Sequence, residues 1–153
     1  MTKILALDLG TNTGFCCGTA EHHVSGTWSF KNDRFSGGGM RYVKFRGTLN
    51  ETYNAYKFDQ VVFEEVRRHA GTDAAHVYGG LLATLTAWCE EKSIPYQGVP
   101  VGTIKKFATS KGNASKDAMI AAVAERWGLS TDDDNEADAF ALFMYQCQQN
   151  TTT

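Results

Sequence analysis

The hydrophobic pattern opens on a run from Lys3 to Leu9 in which Asp8 is the one polar position after Lys3. A run without alternation is what a central strand covered on both faces requires. Gly10-Thr11-Asn12-Thr13-Gly14 has the composition of a turn. Phe15–Thr19 and Val24–Phe30 read as two further strands, the second with Val24, Gly26, Trp28 and Phe30 on one face. The polar, glycine-rich stretch Lys31–Gly39 is a loop. The period then changes: Tyr42, Phe45, Leu49, Tyr53 and Tyr56 recur at three- and four-residue spacing, which predicts an amphipathic helix. Gln60–Phe63 is a short buried strand ending on Glu64-Glu65. A helix from about Asp73 to Glu91 carries Ala74, Tyr78, Leu81, Leu82, Leu85 and Trp88 on one face and the small residues Gly80, Ala83 and Ala87 on another. Pro95–Val99 is a fifth strand. Ser115 can cap a helix built on Met119, Ile120, Val123 and Trp127, which Gly128 stops. Thr131–Asp134 lead into a last helix with Ala137, Phe140, Ala141 and Met144, and the polar end, Gln146 to Thr153, is expected to fray.

The order is therefore β-β-β-α-β-α-β-α-α. Three strands joined by short turns make an antiparallel meander, and strands alternating with helices must be parallel to a neighbour. The simplest closed arrangement is an α/β mixed five-stranded sheet with helices on both faces, the first strand central and paired with the strand that ends at Glu64. At 153 residues the chain fits one domain, 1–148, followed by a polar tail, 149–153. No apolar run approaches the ~18 residues of a membrane span. Lys3 leads straight into a strand, so no secretory leader is expected. Cys16, Cys17, Cys89 and Cys147 show no metal spacing and read as reduced thiols of a cytoplasmic protein, which sets aside a secreted disulfide scaffold.

A net charge of −2 argues at first against a nucleic-acid partner. The distribution argues otherwise. Asp117, Glu125, Asp132, Asp133, Asp134, Glu136 and Asp138 lie in one stretch with a single base, Arg126, while the rest of the chain carries 14 bases and 10 acids. Those bases cluster as Arg67-Arg68, Lys105-Lys106, Lys111 and Lys116. Binding of a phosphate backbone together with a concentration of carboxylates for metal would give this split; so would an acidic helix surrounded by solvated lysines.

Two acids stand in apolar strands. Asp8 ends the first and Glu64 ends the fourth, and if these are parallel neighbours about 5 Å apart the two carboxylates lie side by side. That close, they must share a proton or hold a cation. Asp134 and Asp138 are spaced i, i+4, on one face of the last helix, with Glu136 on another. Singly, Asp8 can cap a turn and Asp132-Asp133-Asp134 can begin a helix. Together, acids from two strand ends and a helix start form the oxygen-donor set that magnesium prefers.

Leu5-Ala6-Leu7-Asp8-Leu9-Gly10-Thr11-Asn12-Thr13-Gly14, Val62-Phe63-Glu64-Glu65-Val66 and Asp134-Asn135-Glu136-Ala137-Asp138-Ala139 together resemble the RuvC group of Holliday junction resolvases, nearest its phage-type branch. The resemblance spans nearly the whole chain and implies a ribonuclease-H-like fold. It also implies a homodimer that nicks four-way DNA junctions with two magnesium ions per site, manganese substituting. By motif the ligands map to Asp8, Glu64, Asp138 and one acid shortly before it. Bacterial members place that acid three residues earlier, where this chain has Asn135. Asp134, one helical turn before Asp138, is preferred, and Glu136 comes second. Thr103-Ile104-Lys105-Lys106 and Asn113-Ala114-Ser115-Lys116 resemble the family's lysine-bearing segments, which implies Lys116 near the scissile phosphate and Lys105 on a backbone phosphate, with Lys106 and Lys111 nearby. Arg67, Arg68 and His69 fall where related enzymes set a loop against the junction core; arginines there can grip phosphates and His69 can stack on a base.

The leading expectation is thus a metal-dependent, structure-selective DNA endonuclease that resolves branched DNA by paired nicks, leaving a 5′ phosphate and a 3′ hydroxyl. Its rivals are a YqgF-like nuclease acting on RNA, an inactive junction-binding module, and an actin-like or sugar-kinase ATPase suggested by Asp8-Leu9-Gly10-Thr11. The last needs two such domains around a nucleotide. A pair of chains is expected for paired nicks, with the small-residue face of the Asp73–Glu91 helix, edged by His76 and Gly79, as the contact.

Overall fold

The computed structural model describes residues 1–152. In chain order it contains β1 (Ile4–Asp8), β2 (Asn12–Gly18), β3 (His23–Ser29), α1 (Met40–Tyr56), β4 (Gln60–Glu65), α2 (Thr72–Lys92), β5 (Tyr96–Pro100), α3 (Val101–Thr109), α4 (Lys116–Trp127) and α5 (Asp134–Thr152). The five strands form one sheet in the order β3-β2-β1-β4-β5. β1 is antiparallel to β2 and parallel to β4, and β5 is parallel to β4. The mixed sheet and the central first strand read from the hydrophobic pattern are both present.

Strand alternation divides the core into two halves. Ile4, Ala6, Cys16 and Val62 pack with residues of α3, α4 and α5, including Ile104, Met119, Val123, Phe140 and Phe143. Leu5, Leu7, Cys17, Val61 and Phe63 pack with Phe45 and Leu49 of α1 and Leu81, Leu85 and Trp88 of α2. Every residue from Ile4 to Leu7 is buried, which is why the β1 pattern shows no alternation. Asp8 and Glu64 follow the parity of Ala6 and Val62, so both stand on the α5 side of the sheet.

Three expectations are corrected. One helix more is present: α3 follows β5 directly, and its nine residues open on Val101-Gly102-Thr103, a poor helix-forming start. Tertiary contacts support it: Phe107 stacks on Trp127 of α4, and the Arg126 guanidinium donates to the Phe107 carbonyl. Secondly, the polar end is helical over its described length: α5 continues to Thr152. Gln146 is buried and donates to Asn150 Oδ1 at 2.9 Å, while Asn150 Nδ2 donates to Gln60 Oε1 of β4 at 3.1 Å. Residues 149–152 of the expected tail thus belong to the helix, and Thr153 lies outside the described residues. Thirdly, the small face of α2 is divided. A Cβ on Gly80 would meet the Tyr42 ring at 2.5 Å, so this glycine serves the packing of α1 on α2; Gly79, Ala83 and Ala87 remain exposed.

Among the glycines, the one with least room for a side chain is Gly14, paired with Asp8 across β1 and β2. A Cβ there would lie 1.9 Å from the backbone oxygen of Asn135, in the first turn of α5. No side chain fits, so glycine at this position lets the start of α5 rest on the end of the sheet. Gly14→Ala must push α5 outward, and urea denaturation is expected to show a loss on the order of 3 kcal/mol, as for overpacked cores. Gly79→Ala, facing open space inside a helix, is expected to leave stability equal or higher in the same measurement.

Candidate active site

Three elements converge at the carboxyl ends of β1 and β4. The register that pairs Leu7 with Phe63 brings Asp8 and Glu64 level at the next step. α5 crosses the same end and adds Asp138. One carboxylate oxygen from each of Asp8, Glu64 and Asp138 lies within 4.8 Å of the others. Asp134 sits one turn earlier on α5 with its Oδ2 3.8 Å from Lys116 Nζ.

The backbone around the acids is fixed by groups that sequence reasoning had used only as core or turn residues. Buried Thr13 donates its hydroxyl to the Gly10 carbonyl at 2.7 Å and accepts from the Gly10 N–H, closing the turn that follows Asp8. The Tyr78 hydroxyl donates to the Glu64 carbonyl at 2.9 Å and accepts from the Val66 N–H at 3.2 Å, tying α2 to the end of β4. Asp133 begins α5: its Oδ1 accepts from the Asn135 N–H, and its Oδ2 accepts from the Thr27 hydroxyl of β3. A buried threonine beside glycines, and an acid one residue before a helix, were the signals available for Thr13 and Asp133; Tyr78 gave none beyond its helical period.

The two acids offered for the fourth position stand in different surroundings. Glu136 accepts from the Ser25 hydroxyl at 2.7 Å and from the Thr131 hydroxyl at 2.6 Å, so its carboxylate is committed to β3 and the entry loop of α5. Asp134 instead faces the cluster, where its charge raises the affinities of Asp8 and Asp138 for protons.

The electrostatics are those of crowded anions. Desolvation holds the Asp8 carboxyl well above its ordinary range, and the charges of Glu64 and Asp138 push it further. Glu64 is also raised by burial, against the lowering effect of a hydrogen bond from Asp8 and the charge of Lys105. Asp138 is raised to about 7 by burial and by Glu64 and Asp134, opposed by Lys105 and Lys116. Glu64 is 8% exposed, and its Oε2 is buried with no hydrogen-bond partner. A buried carboxylate oxygen without a donor, on a residue grouped with two other carboxylates, fits a hard divalent cation; without one, the Asp8–Glu64 pair shares a proton.

The basic residues take different places. Lys105, on α3, and Lys116, at the first turn of α4 behind the Ser115 cap, both act on the acids. Lys106 and Lys111 are exposed outside the cluster. Arg67 lies 3.3 Å from Glu65 with its side chain 81% exposed, and Arg68 is exposed beside it. His69 turns back, its ring 4.9 Å from that of Tyr78. Arg67 and Arg68 line one recess with Glu65, Pro100 and Gly102, next to the β4 acid.

Comparison with solved structures identifies the architecture. Thermus thermophilus RuvC in complex with a Holliday junction substrate superposes with a TM-score of 0.79 at 18% identity, covering 97% of this chain and 97% of that one. The chain has the RuvC fold. Another structure of T. thermophilus RuvC gives 0.77 at 17% identity over 99% of this chain and 98% of that one. The crystal structure of the yeast mitochondrial Holliday junction resolvase gives 0.67 at 13% identity over 99% and 81%. No protein-family model and no curated protein sequence matches the chain. The RuvC fold, with its ribonuclease-H-like sheet, is therefore shared at a level where fold persists and sequence does not.

Raised carboxyl affinities make the site a pH-dependent liability. At these acids the folded chain holds protons that the unfolded chain releases, so the cluster's contribution to stability is greatest below the ordinary carboxylate range near 4 and falls as pH rises toward about 7. In metal-free protein, Tm is expected to be lower at pH 8 than at pH 5.5, and millimolar magnesium or manganese should narrow that difference. Asp8→Asn removes one anion and should raise the metal-free Tm at pH 8 while weakening the divalent-ion response.

Proposed function

We propose that this chain is a divalent-metal-dependent endonuclease that nicks branched DNA, four-way junctions above all. The observation that carries the reading is the Asp8–Glu64–Asp138 cluster, with an orphaned buried oxygen on Glu64, at the end of a RuvC-type sheet. Similar structures include RuvC with a Holliday junction substrate and a fowlpox virus resolvase with substrate Holliday junction DNA. Branched DNA is the substrate class to which that points.

In this reading Asp8, Glu64, Asp134 and Asp138 hold two magnesium ions, with manganese as a substitute. Ions held there would supply water activation and charge stabilisation at the leaving 3′ oxygen, the chemistry that would leave a 5′ phosphate and a 3′ hydroxyl. Asp8 and Glu64 are fixed by strands and the Thr13 and Tyr78 hydrogen bonds, so the ligand positions are set before substrate arrives. Lys116, whose ammonium already lies by Asp134, is placed to offset negative charge on the phosphate. Lys105, on α3, acts on the same cluster and would hold the neighbouring phosphate. Arg67 and Arg68, at the mouth of β4, grip the backbone beyond it, and Lys106 and Lys111 extend the basic surface. His69, packed on Tyr78, supports that loop more directly than it offers a ring to a base.

One chain carries one such cluster, and a junction needs matched nicks in two strands of like polarity. A two-fold pair of chains is therefore part of the reading, formed through the exposed stripe His76, Gly79, Ala83 and Ala87 of α2. Light scattering should show a dimer at tens of micromolar, and Ala83→Arg should give a folded monomer that fails to make paired cuts. A wild-type chain that stays monomeric with and without junction DNA sinks that part.

The chemistry is tested by nicking assays on synthetic four-way junctions, forks, linear duplex and structured RNA, with magnesium and with chelator. Asp8→Asn should abolish cleavage and keep junction binding. Asp134→Asn should slow turnover by at least about a hundredfold, each ligand contributing several kcal/mol to the site, whereas Glu136→Gln should act mainly through stability. Cleavage of structured RNA in preference to DNA would favour the RNA-processing rival.

A further inference from the structure

The loop between β3 and α1 carries a feature that the metal site does not use. Phe35 is 83% exposed, the most exposed internal aromatic among the described residues. An aromatic ring left in water forgoes burial worth a few kcal/mol, so a fold does not hold one there for its own stability. Yet the local structure presents the ring. Asp33 Oδ1 accepts from the Phe35 N–H at 2.8 Å and from the Ser36 hydroxyl at 3.1 Å, and the Arg34 guanidinium lies 4.8 Å from the ring centroid.

Charge around the ring selects its partner. From Lys31 to Arg46 the chain has five bases and the single acid Asp33. Arg46 is paired with Glu91, which leaves Lys31, Arg34, Arg41 and Lys44 around the loop. One end of the loop is tied to the turn after Asp8, where the Phe30 N–H donates to the Thr11 carbonyl at 2.7 Å, and the other end is tied to the first, where Arg41 Nε donates to the Phe30 carbonyl at 2.9 Å. Thr11 stands three residues beyond Asp8. An aromatic face flanked by cations, on a loop anchored through Phe30 to the turn after Asp8, matches a nucleobase with phosphates on either side.

We infer that Phe35 stacks on an unpaired or unstacked base at the branch point, so that the β3–α1 loop distinguishes branched from linear DNA. The inference rests on the nuclease reading above and adds to it a second contact, apart from the arginine loop after β4. In a continuous duplex both faces of each base are already occupied by neighbours, so the ring has nothing to take; at a branch a face is open. Arg34 contributes by lying over the ring and by its charge toward the flanking phosphate.

The test is equilibrium binding, in chelator so that no strand is cut, of a four-way junction and a linear duplex of equal length. Each DNA carries 2-aminopurine, at the branch point in the junction. Phe35→Ala should weaken junction binding about 5- to 150-fold, the range for loss of one stacked base, leave duplex binding within twofold, and restore 2-aminopurine fluorescence that the wild type quenches. Phe35→Tyr should behave as wild type. Because Phe35 is exposed, Phe35→Ala should keep the wild-type Tm, which separates these effects from misfolding. Unchanged junction affinity in Phe35→Ala, or equal weakening on junction and duplex, overturns the inference. So does a shift from dimer to monomer in sedimentation, which would assign the ring to a contact between chains. If the wild type holds junction and duplex equally, the nuclease reading loses its substrate and this inference falls with it; if the wild type discriminates and Phe35→Ala does too, the stacking contact alone is lost.

Discussion

Crowded negative charge is the constraint on which the rest of the molecule turns. Asp8, Glu64 and Asp138 bring carboxylate oxygens within 4.8 Å of one another at the end of a buried sheet, where like charges repel more strongly than in water. Nothing in the hydrophobic core rewards this arrangement. It persists because each acid is held by an element with reasons of its own to be there: β1 and β4 by complete burial on both faces, α5 by its packing across the sheet. Gly14 is where these demands meet. With any side chain at that position, α5 could not rest its first turn on β2, and Asp134 and Asp138 would move away from Asp8. The Tyr78 and Thr13 hydrogen bonds fix the backbone on either side of the cluster, so the repulsion is met by rigid structure rather than by the acids swinging apart.

Much of this was legible in the sequence, and the reasons are specific. The unalternating run at Ile4–Leu7 announced a strand buried on both faces, and Asp8 and Glu64 were conspicuous because each interrupted or ended such a run. The i, i+4 spacing of Asp134 and Asp138 placed them on one helix face before any coordinates. What stayed hidden was whatever depends on contacts between distant segments. α3 is too short and too poor in helix formers to show a period, and exists through Trp127 and Arg126. The polar end of α5 read as frayed because a chain of amides, Gln146 to Asn150 to Gln60, has no hydrophobic signature. The small face of α2 was one stripe in sequence and two surfaces in space, since the ring that fills the Gly80 side belongs to Tyr42, in another helix. Glu136 and Asp134 differ by two positions, and the hydroxyls of Ser25 and Thr131 show that the first is already engaged.

On the proposed reading, the same contacts bear on how a chain of net charge −2 would offer phosphate a basic face. Three acids of its acidic stretch are engaged internally: Asp133 on the α5 cap and Thr27, Glu136 on Ser25 and Thr131, Asp134 beside Lys116. The bases at the rim, Arg67, Arg68 and Lys106, remain exposed. Left without cations, the carboxylate cluster at the centre of that rim repels a phosphate drawn in by its edge. Filling the cluster with divalent ions removes the repulsion, so on the proposed reading cation binding and DNA binding are linked, each strengthening the other by the same factor. That linkage belongs to the geometry itself, because the groups that would hold the metal and those that would hold the backbone, Lys105 and Lys116 foremost, already act on one another across the few ångströms between them.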